Sequence, residues 1–504
     1  MRTEEYRSER GKMMKRLLSG VTALILLLAP LLSSCSEKNP ESDAETTPGA
    51  QAVQAGENAA PETEEPSPLE LLPEADFGGA AYHILGDVNS NWWIISLNSE
   101  EVTGEIINDT VYERNAFAEE RYNVDVTSEE TTAAVSQIEK SVKAGTEDYS
   151  VVWERINTLI PAAQSGYLKN LYKVSAFDFE APWWDGNSVR SLTINDKLFF
   201  ACNDINVHTI EGCSAMYFSK TVLNNRQMEN PYEIVREYRW TLDKMEEMMR
   251  ATAADTNGDG VRNEGDTYGL VTGIGQYLSL INGANEQLVL LEHTDEGDTF
   301  ILNIASEPVI EVTEKVCGML NDKNLTVVVN YDSWGYNAFY TDMSLFYIMQ
   351  LGSVVGLRNN MENDFGVIPF PMKNEEQGFY TTSMEATAQA MCIPLSSASA
   401  DMIGTVTETM AVYSDQYLID AYYETTLKGK IARDRDTNEM LDILTGTRTF
   451  DYSTCYGSWG VYNNFRTYIE ANGGSDLASF AAKQQKLFTK NMEKTVNAYR
   501  EIED

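Results

Sequence analysis

The chain has 504 residues, a length that favours two lobes or domains over a single hydrophobic core. Its 43% hydrophobic and 10% aromatic content is typical of a globular protein. The formal net charge of -39 argues against nucleic acid as a partner, because phosphate binding requires clustered lysine and arginine. The same charge argues against adhesion of the protein surface to anionic lipid and favours solubility.

The first 35 residues are predicted to form an export signal. Basic residues precede an apolar run at 17–32, which has the length of a signal h-region and is short for a membrane span. The run ends in Leu32-Ser33-Ser34-Cys35, the layout of a bacterial lipoprotein signal, in which the cysteine becomes the lipid-carrying N-terminus. We therefore predict a lipid on Cys35 and a location on the extracytoplasmic face of the cell membrane. The alternative is an ordinary signal peptide with a chance cysteine. Met13 or Met14 is a possible start of translation.

Residues 36–76 are predicted to form a disordered, acidic tether. The segment contains six prolines and no aromatic residue, so it cannot bury enough apolar surface to fold. A flexible chain of about forty residues spans roughly 35 Å, so the folded body could stand clear of the membrane. The folded domain is predicted over residues 77–504.

The cysteines do not indicate a disulfide framework. Without Cys35, the chain keeps an odd number of scattered cysteines, and no pair has the CxxC spacing of a metal site. Cys202 and Cys213 could bridge each other, whereas buried free thiols are the expected state.

Alternating strands and helices open the folded domain. Strands are predicted at 81–85, 124–127 and 149–153, with helices at 104–122 and 135–142 between them. This alternation favours a parallel sheet covered by helices on both faces. Ligands meet such sheets at the loops that follow the carboxyl ends of the strands.

A second lobe is predicted to begin after residues 217–220, where the pattern restarts. A helix is predicted to begin at Leu242, with Thr241 as its N-cap. The remaining predicted elements are a hairpin-like segment at 194–200, a strand at 365–370, and helices at 402–413, 416–427 and 475–500.

Aromatic residues in predicted loops are the candidates for ligand contact. Asn91-Trp92-Trp93 would follow the first strand, and Trp153-Glu154-Arg155 would end the third. Sugars present apolar C–H faces to aromatic rings and leave their hydroxyls to polar side chains. For any single ring, packing in the core is the competing interpretation. The predicted ligand-binding residues are Trp92, Trp93, Trp153, Trp183, Trp184, Asp204, Trp334, Tyr336 and Trp459.

The loop from Asp255 to Asp266 has the spacing of a calcium site. Oxygen-bearing side chains occupy loop positions one, three, five and nine, and glycine occupies position six, as in an EF-hand loop. Val261 would supply a backbone carbonyl, and Glu264 or Asp266 could complete the shell. The alternative is a polar turn in which asparagine and glycine serve backbone geometry. We predict a structural Ca²⁺ ion.

No pattern of catalytic residues is evident. The chain has only His83, His208 and His293, and it lacks GxSxG and HExxH. A glycosidase needs only two carboxylates about 5 to 9.5 Å apart. With 77 acidic residues, the chain has enough carboxylates for such a pair. We predict that the protein is not an enzyme, and a surface glycoside hydrolase is the alternative.

Several motifs, taken in order, carry a resemblance that covers nearly the whole chain. They are Asp76-Phe77-Gly78-Gly79, Gly104-Glu105-Ile106-Ile107-Asn108-Asp109, Val111-Tyr112-Glu113-Arg114-Asn115, Ala144-Gly145-Thr146, Pro182-Trp183-Trp184-Asp185, Trp240-Thr241-Leu242-Asp243, the Asp255 loop, Phe365-Gly366-Val367-Ile368-Pro369 and Tyr422-Tyr423-Glu424. Each is weak alone, and their joint order is specific. With them, the chain resembles the extracellular solute-binding proteins of bacterial ABC importers, in the large carbohydrate-binding group.

The resemblance implies an α/β, two-lobe, periplasmic-binding-protein type II-like fold. Each lobe would be a mainly parallel sheet flanked by helices, with a ligand cleft between the lobes. The N-lobe is expected at about 77–205 and 371–430, and the C-lobe at about 216–366 and 431–504. Relatives that bind alginate oligosaccharides hold calcium in a similar loop, which favours Glu264 over Asp266. Carried over by position, the calcium ligands are Asp255, Asn257, Asp259, Val261, Asn263 and Glu264.

The resemblance also implies a function without chemistry on the ligand. A monomeric, lipid-anchored protein would capture a solute, expected to be an oligosaccharide, and deliver it to the permease subunits of an ABC importer. A subunit that presents its ligand to a membrane sensor is a further alternative. The sequence does not identify the ligand.

Overall fold

The computed structural model describes residues 66–88, 97–273, 275–329, 333–428 and 435–502, all within one unit of the chain. The predicted export signal, Cys35, Trp92 and Trp93 lie outside the described residues. Across the described ranges, the helices include none with the length and apolar character that a membrane span requires.

Residues 66–76, which were predicted to belong to the disordered tether, are ordered. A short 3₁₀ helix at Pro68–Leu71 is closed by a capping box between Ser67 and Glu70. Arg121 donates from Nη2 to the carbonyl oxygen of Leu72 at 2.7 Å. The prediction was wrong here because local composition does not reveal hydrogen bonds made to a distant helix.

The described residues contain two five-stranded sheets and two two-stranded sheets. The strands are β1 (Ala80–Asp87), β2 (Val124–Thr131), β3 (Val151–Arg155), β4 (Phe200–Ala201), β5 (Ser214–Ser219), β6 (Tyr268–Gly273), β7 (Val289–Thr294), β8 (Gly297–Leu302), β9 (Thr326–Val329), β10 (Ser344–Gln350), β11 (Phe365–Ile368), β12 (Thr382–Ser383), β13 (Gln389–Cys392) and β14 (Arg448–Thr449).

Helices cover the sheets and connect their strands. They are α1 (Ile106–Tyr122), α2 (Ala134–Ala144), α3 (Ile156–Gln164), α4 (Gly186–Leu192), α5 (His208–Glu211), α6 (Lys220–Asn225), α7 (Pro231–Arg236), α8 (Leu242–Thr252), α9 (Tyr277–Gly283), α10 (Glu307–Leu320), α11 (Ser333–Tyr340), α12 (Val354–Asn360), α13 (Ala400–Tyr413), α14 (Ile419–Tyr422), α15 (Arg435–Gly446), α16 (Tyr452–Cys455), α17 (Val461–Asn472) and α18 (Leu477–Glu501). The predicted N-cap of α8 is confirmed, because Thr241 Oγ1 accepts the N–H of Lys244 at 3.2 Å.

The first sheet has the strand order β2-β1-β3-β13-β4. β1 is parallel to both β2 and β3, and β13 runs antiparallel to β3 and β4. The three strands and two helices that the sequence predicted at the start of the domain are all present. Apolar residues such as Ile84, Leu85 and Val152 are buried on this sheet, which accounts for the continuous hydrophobic runs.

The second sheet has the strand order β11-β5-β10-β6-β9. β10 is parallel to β6, and β6 is parallel to β9, whereas β5 runs antiparallel to β10 and β11. The sequence pattern restarts after residues 217–220 and the C-lobe was expected from about 216; both positions lie at β5, which already belongs to this sheet. The predicted α/β fold with two sheet-bearing lobes is confirmed, and each sheet also contains antiparallel pairs.

Two chain segments, 202–213 and 369–388, pass between the sheets. They contact each other directly, since Cys213 and Met384 form an isolated antiparallel bridge. A third connection follows α13 and α14, which form one continuous helix interrupted by π-helical turns at Ser414–Leu418 and Tyr423–Lys428. The helix begins against α1 beside the first sheet, and its last turn contacts α12 beside the second.

The C-terminal helix α18 packs against α3 of the first lobe and against β8. The ring of Phe300 on β8 contacts Tyr452, Tyr456 and Trp459 at centroid distances of 5.2, 5.9 and 4.7 Å. This aromatic cluster therefore joins the β7–β8 hairpin to the C-terminal helices.

Five cysteines lie in the described residues, and all are buried free thiols: Cys202, Cys213, Cys317, Cys392 and Cys455. The possible bridge between Cys202 and Cys213 is absent among them. Burial raises the pKa of each thiol.

Candidate functional site

The strand ends of the two large sheets meet at residues 384–389, in the second of the crossing segments. The carbonyl oxygens of Ala386 and Ala388 accept hydrogen bonds from the first residues of α3, which directly follows β3. On the other side, the N–H of Glu385 donates to the carbonyl oxygen of Gly212 at 2.9 Å, in the first crossing segment. The carboxyl ends of parallel strands are where α/β proteins bind ligands, so this junction is the candidate site.

The first sheet contributes a charged group at the ends of β1 and β3. The Nε atom of Arg155 lies 3.4 Å from Oδ2 of Asp87 and 3.4 Å from Oε1 of Glu154. Gln389 donates from Nε2 to the carbonyl oxygen of Asp87 and accepts from Nδ2 of Asn206 at 2.8 Å. Both carboxylates are buried, whereas the side chain of Arg155 is 27% exposed. The guanidinium is therefore the member of this group that a ligand can reach.

The second sheet reaches the same junction at the ends of β10 and β6. Gln350, the last residue of β10, donates from Nε2 to Oε2 of Glu385 at 3.1 Å. The hydroxyl of Tyr462 on α17 donates to the carbonyl oxygen of Gly275, just beyond β6, at 3.0 Å. The guanidinium carbon of Arg466 lies 5.8 Å from the centroid of the Tyr462 ring. Amide, carboxylate, phenol and guanidinium groups from both lobes therefore converge here.

The carboxylates of this site are held in a poorly solvated environment. Burial raises the pKa of Glu385, and the N–H of Thr387 and the amide of Gln350 act in the opposite direction. Burial also raises the pKa of Glu154, and the nearby charge of Asp87 adds to that rise. Such groups accept and donate hydrogen bonds at fixed points, which suits a ligand with several hydroxyl groups.

The side chains of the tandem tryptophans are hydrogen-bonded within the first lobe. Trp183 and Trp184 donate from their indole nitrogens to Oε1 and Oε2 of Glu408, at 2.6 and 2.9 Å. The next residue, Asp185, caps α4 and lies 2.9 Å from Nε of Arg448. The predicted ligand residue Asp204 is half-buried, and its N–H donates to the carbonyl of Trp183 at 3.0 Å. These residues form one structural group around Glu408 and Arg448.

Trp153 and Trp459 are covered by protein. Trp153 lies in β3 and is fully buried, two residues before Arg155. Trp459 stacks on Tyr456 with a centroid distance of 4.4 Å, and its indole donates to Oγ1 of Thr495 at 2.8 Å. The contacts of these two rings agree with the core-packing interpretation that was the alternative for each aromatic residue.

Trp334 and Tyr336 belong to α11, which packs on the second sheet. Trp334 is half-buried and contacts the ring of Tyr268 at 6.3 Å, and Tyr336 contacts Tyr347 at 6.2 Å. The described members of the predicted aromatic set therefore lie in several places and are not brought together. Trp92 and Trp93, at the loop after β1, lie outside the described residues.

Sequence reasoning missed Glu385, Gln350, Gln389 and Tyr462. Each lies in a stretch with no charge cluster or motif, and they meet only because the two crossing segments bring the sheets together. Of the predicted loops, Trp153-Glu154-Arg155 lies at this candidate site, because its position followed from the strand-end rule.

The loop from residue 255 to 266 connects α8 to β6 and is closed by an isolated bridge between Ala254 and Thr267. The two carboxylate oxygens of Asp255 accept the N–H groups of Gly258 and Gly260 at 2.7 and 2.9 Å. Both glycines have positive φ, at +74° and +76°, so the tight turn requires them.

Oxygen atoms converge within this loop. The carbonyl oxygen of Val261 and Oδ2 of Asp259 both lie 2.9 Å from Nδ2 of Asn263. Both oxygens of the buried Asp266 are used by the N–H groups of Thr256 and Asn263, each at 3.0 Å. The donor set suits a hard cation such as Ca²⁺, with Asp266 acting as the anchor of the loop. Among the described residues, no three His, Cys, Asp or Glu side chains cluster as metal ligands, so a cation in this loop would also need amide and carbonyl oxygens.

Neither a protein-family model nor a curated protein matches the chain. Solved structures do match across most of its length. The sugar-binding protein MalE from the phytopathogen Xanthomonas citri is 15% identical, with a TM-score of 0.55, over 83% of this chain and 98% of that one. A sugar transporter from Rhizobium etli in an open conformation is 11% identical, with a TM-score of 0.53, over 84% and 100%.

A cyclo/maltodextrin-binding protein complexed with maltotetraose is 12% identical, with a TM-score of 0.52, over 84% of this chain and 97% of that chain. At these identities the likeness shows a shared fold. The chain therefore has the two-lobe fold of these sugar-binding proteins.

Proposed function

We propose that the chain is an extracytoplasmic solute-binding protein that captures a carbohydrate and delivers it to the permease of an ABC importer. One observation carries this proposal: the carboxyl ends of parallel strands from both large sheets lie next to each other at Glu385. Sugar-binding proteins of the same fold, including one solved with maltotetraose, support carbohydrate as the ligand class.

Capture would work by bridging the two lobes. Arg155 on the first sheet and Gln350 on the second would each bond to one ligand, with Glu385 between them. A ligand that contacts both lobes favours the closed arrangement in proportion to its difference in affinity for the two states. Segments 202–213 and 369–388 are the natural hinges, because they connect the sheets.

Binding of an intact glycan is the direct test. We expect calorimetry with a panel of oligosaccharides to find a ligand that is recovered unchanged after long incubation. Gln350→Ala should lower the affinity for that ligand by about tenfold or more, since a lost hydrogen bond in a desolvated site costs on the order of 1.5 kcal/mol. Gln485→Ala, on the outer face of α18, is the matched control and should bind normally. Binding of peptides or amino acids with no glycan bound, or turnover of the glycan, contradicts the proposal.

The proposal includes an anchor and a structural cation. Lipid on Cys35 would hold the protein at the membrane, and Ca²⁺ would be held by Asp255, Asn257, Asp259, Val261, Asn263 and Glu264. The cation would supply no chemistry to the ligand and would fix the turn between α8 and β6. Glu264 is preferred over Asp266 because its side chain is exposed at the loop surface, whereas Asp266 is buried beneath the loop.

A further inference from the structure

The positive charges at the junction of the two sheets are already matched by carboxylates. The Nε atom of Arg155 has Asp87 and Glu154 at 3.4 Å each. The Nε atom of Arg466 lies 3.6 Å from Oε1 of Glu470, one helical turn away on α17. Each guanidinium is therefore compensated within the protein.

Glu385 adds a further carboxylate, which in the described part of the chain is bonded to an amide rather than to a lysine or arginine. Its carboxylate receives the amide of Gln350, and its environment includes backbone N–H groups and the hydroxyl of Tyr462. Arg448 on β14, a cation that contacts the first crossing segment, is bound to Asp185 and to the carbonyl oxygen of Thr209 at 2.8 Å. Among the described residues, the site therefore has more acidic than basic groups. The four carboxylates are those of Asp87, Glu154, Glu385 and Glu470, and the two guanidinium groups are those of Arg155 and Arg466.

The net charge of the whole protein has the same sign. The protein as a whole carries a net charge of -39. A ligand carboxylate would therefore approach a surplus of negative charge in a poorly solvated region, where like charges repel strongly.

We infer that the site selects uncharged glycans and rejects glycans that carry carboxylates. This inference rests on the proposed function and narrows its substrate class. Neutral hydroxyl groups can donate to Glu385 and accept from Arg155 and Gln350 without disturbing the ion pairs. A uronate that reached Arg155 would instead bring a third carboxylate to a guanidinium that already has two beside it.

The test compares neutral and acidic tetrasaccharides by calorimetry on the mature chain. The neutral probes are maltotetraose, cellotetraose, mannotetraose and xylotetraose, and the acidic probes are tetragalacturonate and tetramannuronate. We expect a neutral probe to bind and every acidic probe to bind at least tenfold more weakly. An acidic probe that binds within tenfold of the best neutral one overturns the inference while leaving the proposed function intact. Failure of every probe overturns both.

Two variants connect the result to the charges. With the best neutral hexose probe and its C6-oxidised form, Glu385→Gln should improve the relative affinity of the oxidised form by about threefold or more, because one negative charge is removed. Arg466→Gln should leave the preference for the neutral form unchanged or increase it. If Arg466→Gln abolishes binding of an acidic probe that the unaltered protein holds tightly, Arg466 is an anion-binding residue and the inference fails.

Discussion

The carboxylate of Glu408 explains two side chains that the sequence placed among the ligand contacts. It accepts both indole N–H groups of Trp183 and Trp184 in a buried part of the first lobe. Tandem tryptophans near a strand end have the composition of a sugar platform, and their acceptor lies on a helix far along the chain. A local pattern can identify the residue type that stacks on sugars, but it cannot identify a tertiary partner.

Glu408 should make stability depend on pH. Burial raises its pKa from 4.5 to about 7, although the two indole N–H groups act to lower it. The folded protein therefore binds this proton more tightly than the unfolded chain does. The resulting stabilisation is complete below about pH 4.5 and is lost as the pH rises through 7.

Denaturant unfolding at a series of pH values measures this effect. Relative to Glu408→Gln, the unaltered protein should lose on the order of 3 kcal/mol of unfolding free energy between pH 4.5 and 7.5. Trp183→Phe removes a donor that favours the charged form, so it should move the upper end of this window to higher pH. Equal pH dependence in the unaltered protein and Glu408→Gln contradicts the assignment.

Calcium should stabilise the protein through the loop at 255–266. At a free Ca²⁺ concentration about 100 times the dissociation constant, the expected gain is on the order of 2.7 kcal/mol, seen as a rise in Tm. Asp259→Ala should abolish the rise, and Asp401→Asn, an exposed acid on α13, should keep it. Asp266→Asn should lower Tm with and without Ca²⁺, because its carboxylate holds two backbone N–H groups. If neither Ca²⁺ nor EDTA changes the Tm, the calcium site is contradicted and the alternative, a polar turn without a metal, is supported.

A tyrosine follows the end of helix α7 at a position that glycine usually occupies. Tyr238 has φ +54°, its N–H donates to Val235, and the N–H of Arg239 donates to Ile234, which is the Schellman pattern. Glycine is the usual residue at this position because it lacks a Cβ atom. The ring of Tyr238 stacks on Tyr380 at 5.7 Å and 10°, which offsets part of the strain.

Glycine should therefore be better than alanine at position 238. We expect Tyr238→Gly to be more stable than Tyr238→Ala by about 1 kcal/mol, measured by urea unfolding. Glu247 is an exposed position inside α8, where the order should reverse. Glu247→Ala should be more stable than Glu247→Gly by about 1 kcal/mol. The same order at both positions would argue against a left-handed conformation at Tyr238.

The elements that could be predicted from sequence were those with a local signal. The first three strands are short segments with buried apolar residues, and α2, α8 and α18 each have an apolar face; all are present, as is α1, whose buried face also includes Arg114 and Asn115. The buried strand β13 has only four residues, which is too short for a clear local signal. It lies in the first sheet because the crossing segment at 369–388 returns the chain there. The helices predicted at 402–413 and 416–427 are one helix, because a π-helical turn at Ser414–Leu418 shifts the apolar face and disguises the continuity.

At the scale of the whole molecule, the anchor should determine where capture occurs. If Cys35 carries lipid, the predicted tether would keep the folded unit close to its permease and raise its local concentration. Cys35→Ala should move the protein from the membrane to the soluble extracytoplasmic fraction and reduce glycan uptake. Ser34→Ala, which keeps a small residue before the cysteine, should do neither. Cell fractionation and uptake of a labelled glycan measure both, and normal uptake by a soluble Cys35→Ala protein contradicts a role for the anchor.

The buried thiols have a practical consequence for observing lobe closure. Because thiolates are the reactive form, Cys202, Cys213, Cys317, Cys392 and Cys455 should resist maleimide reagents in the folded protein. With Cys35 replaced, two new surface cysteines, one on each lobe, could carry a fluorescent donor and acceptor without removal of any native cysteine. Energy transfer between the dyes would then report the opening and closing of single molecules as a glycan is added.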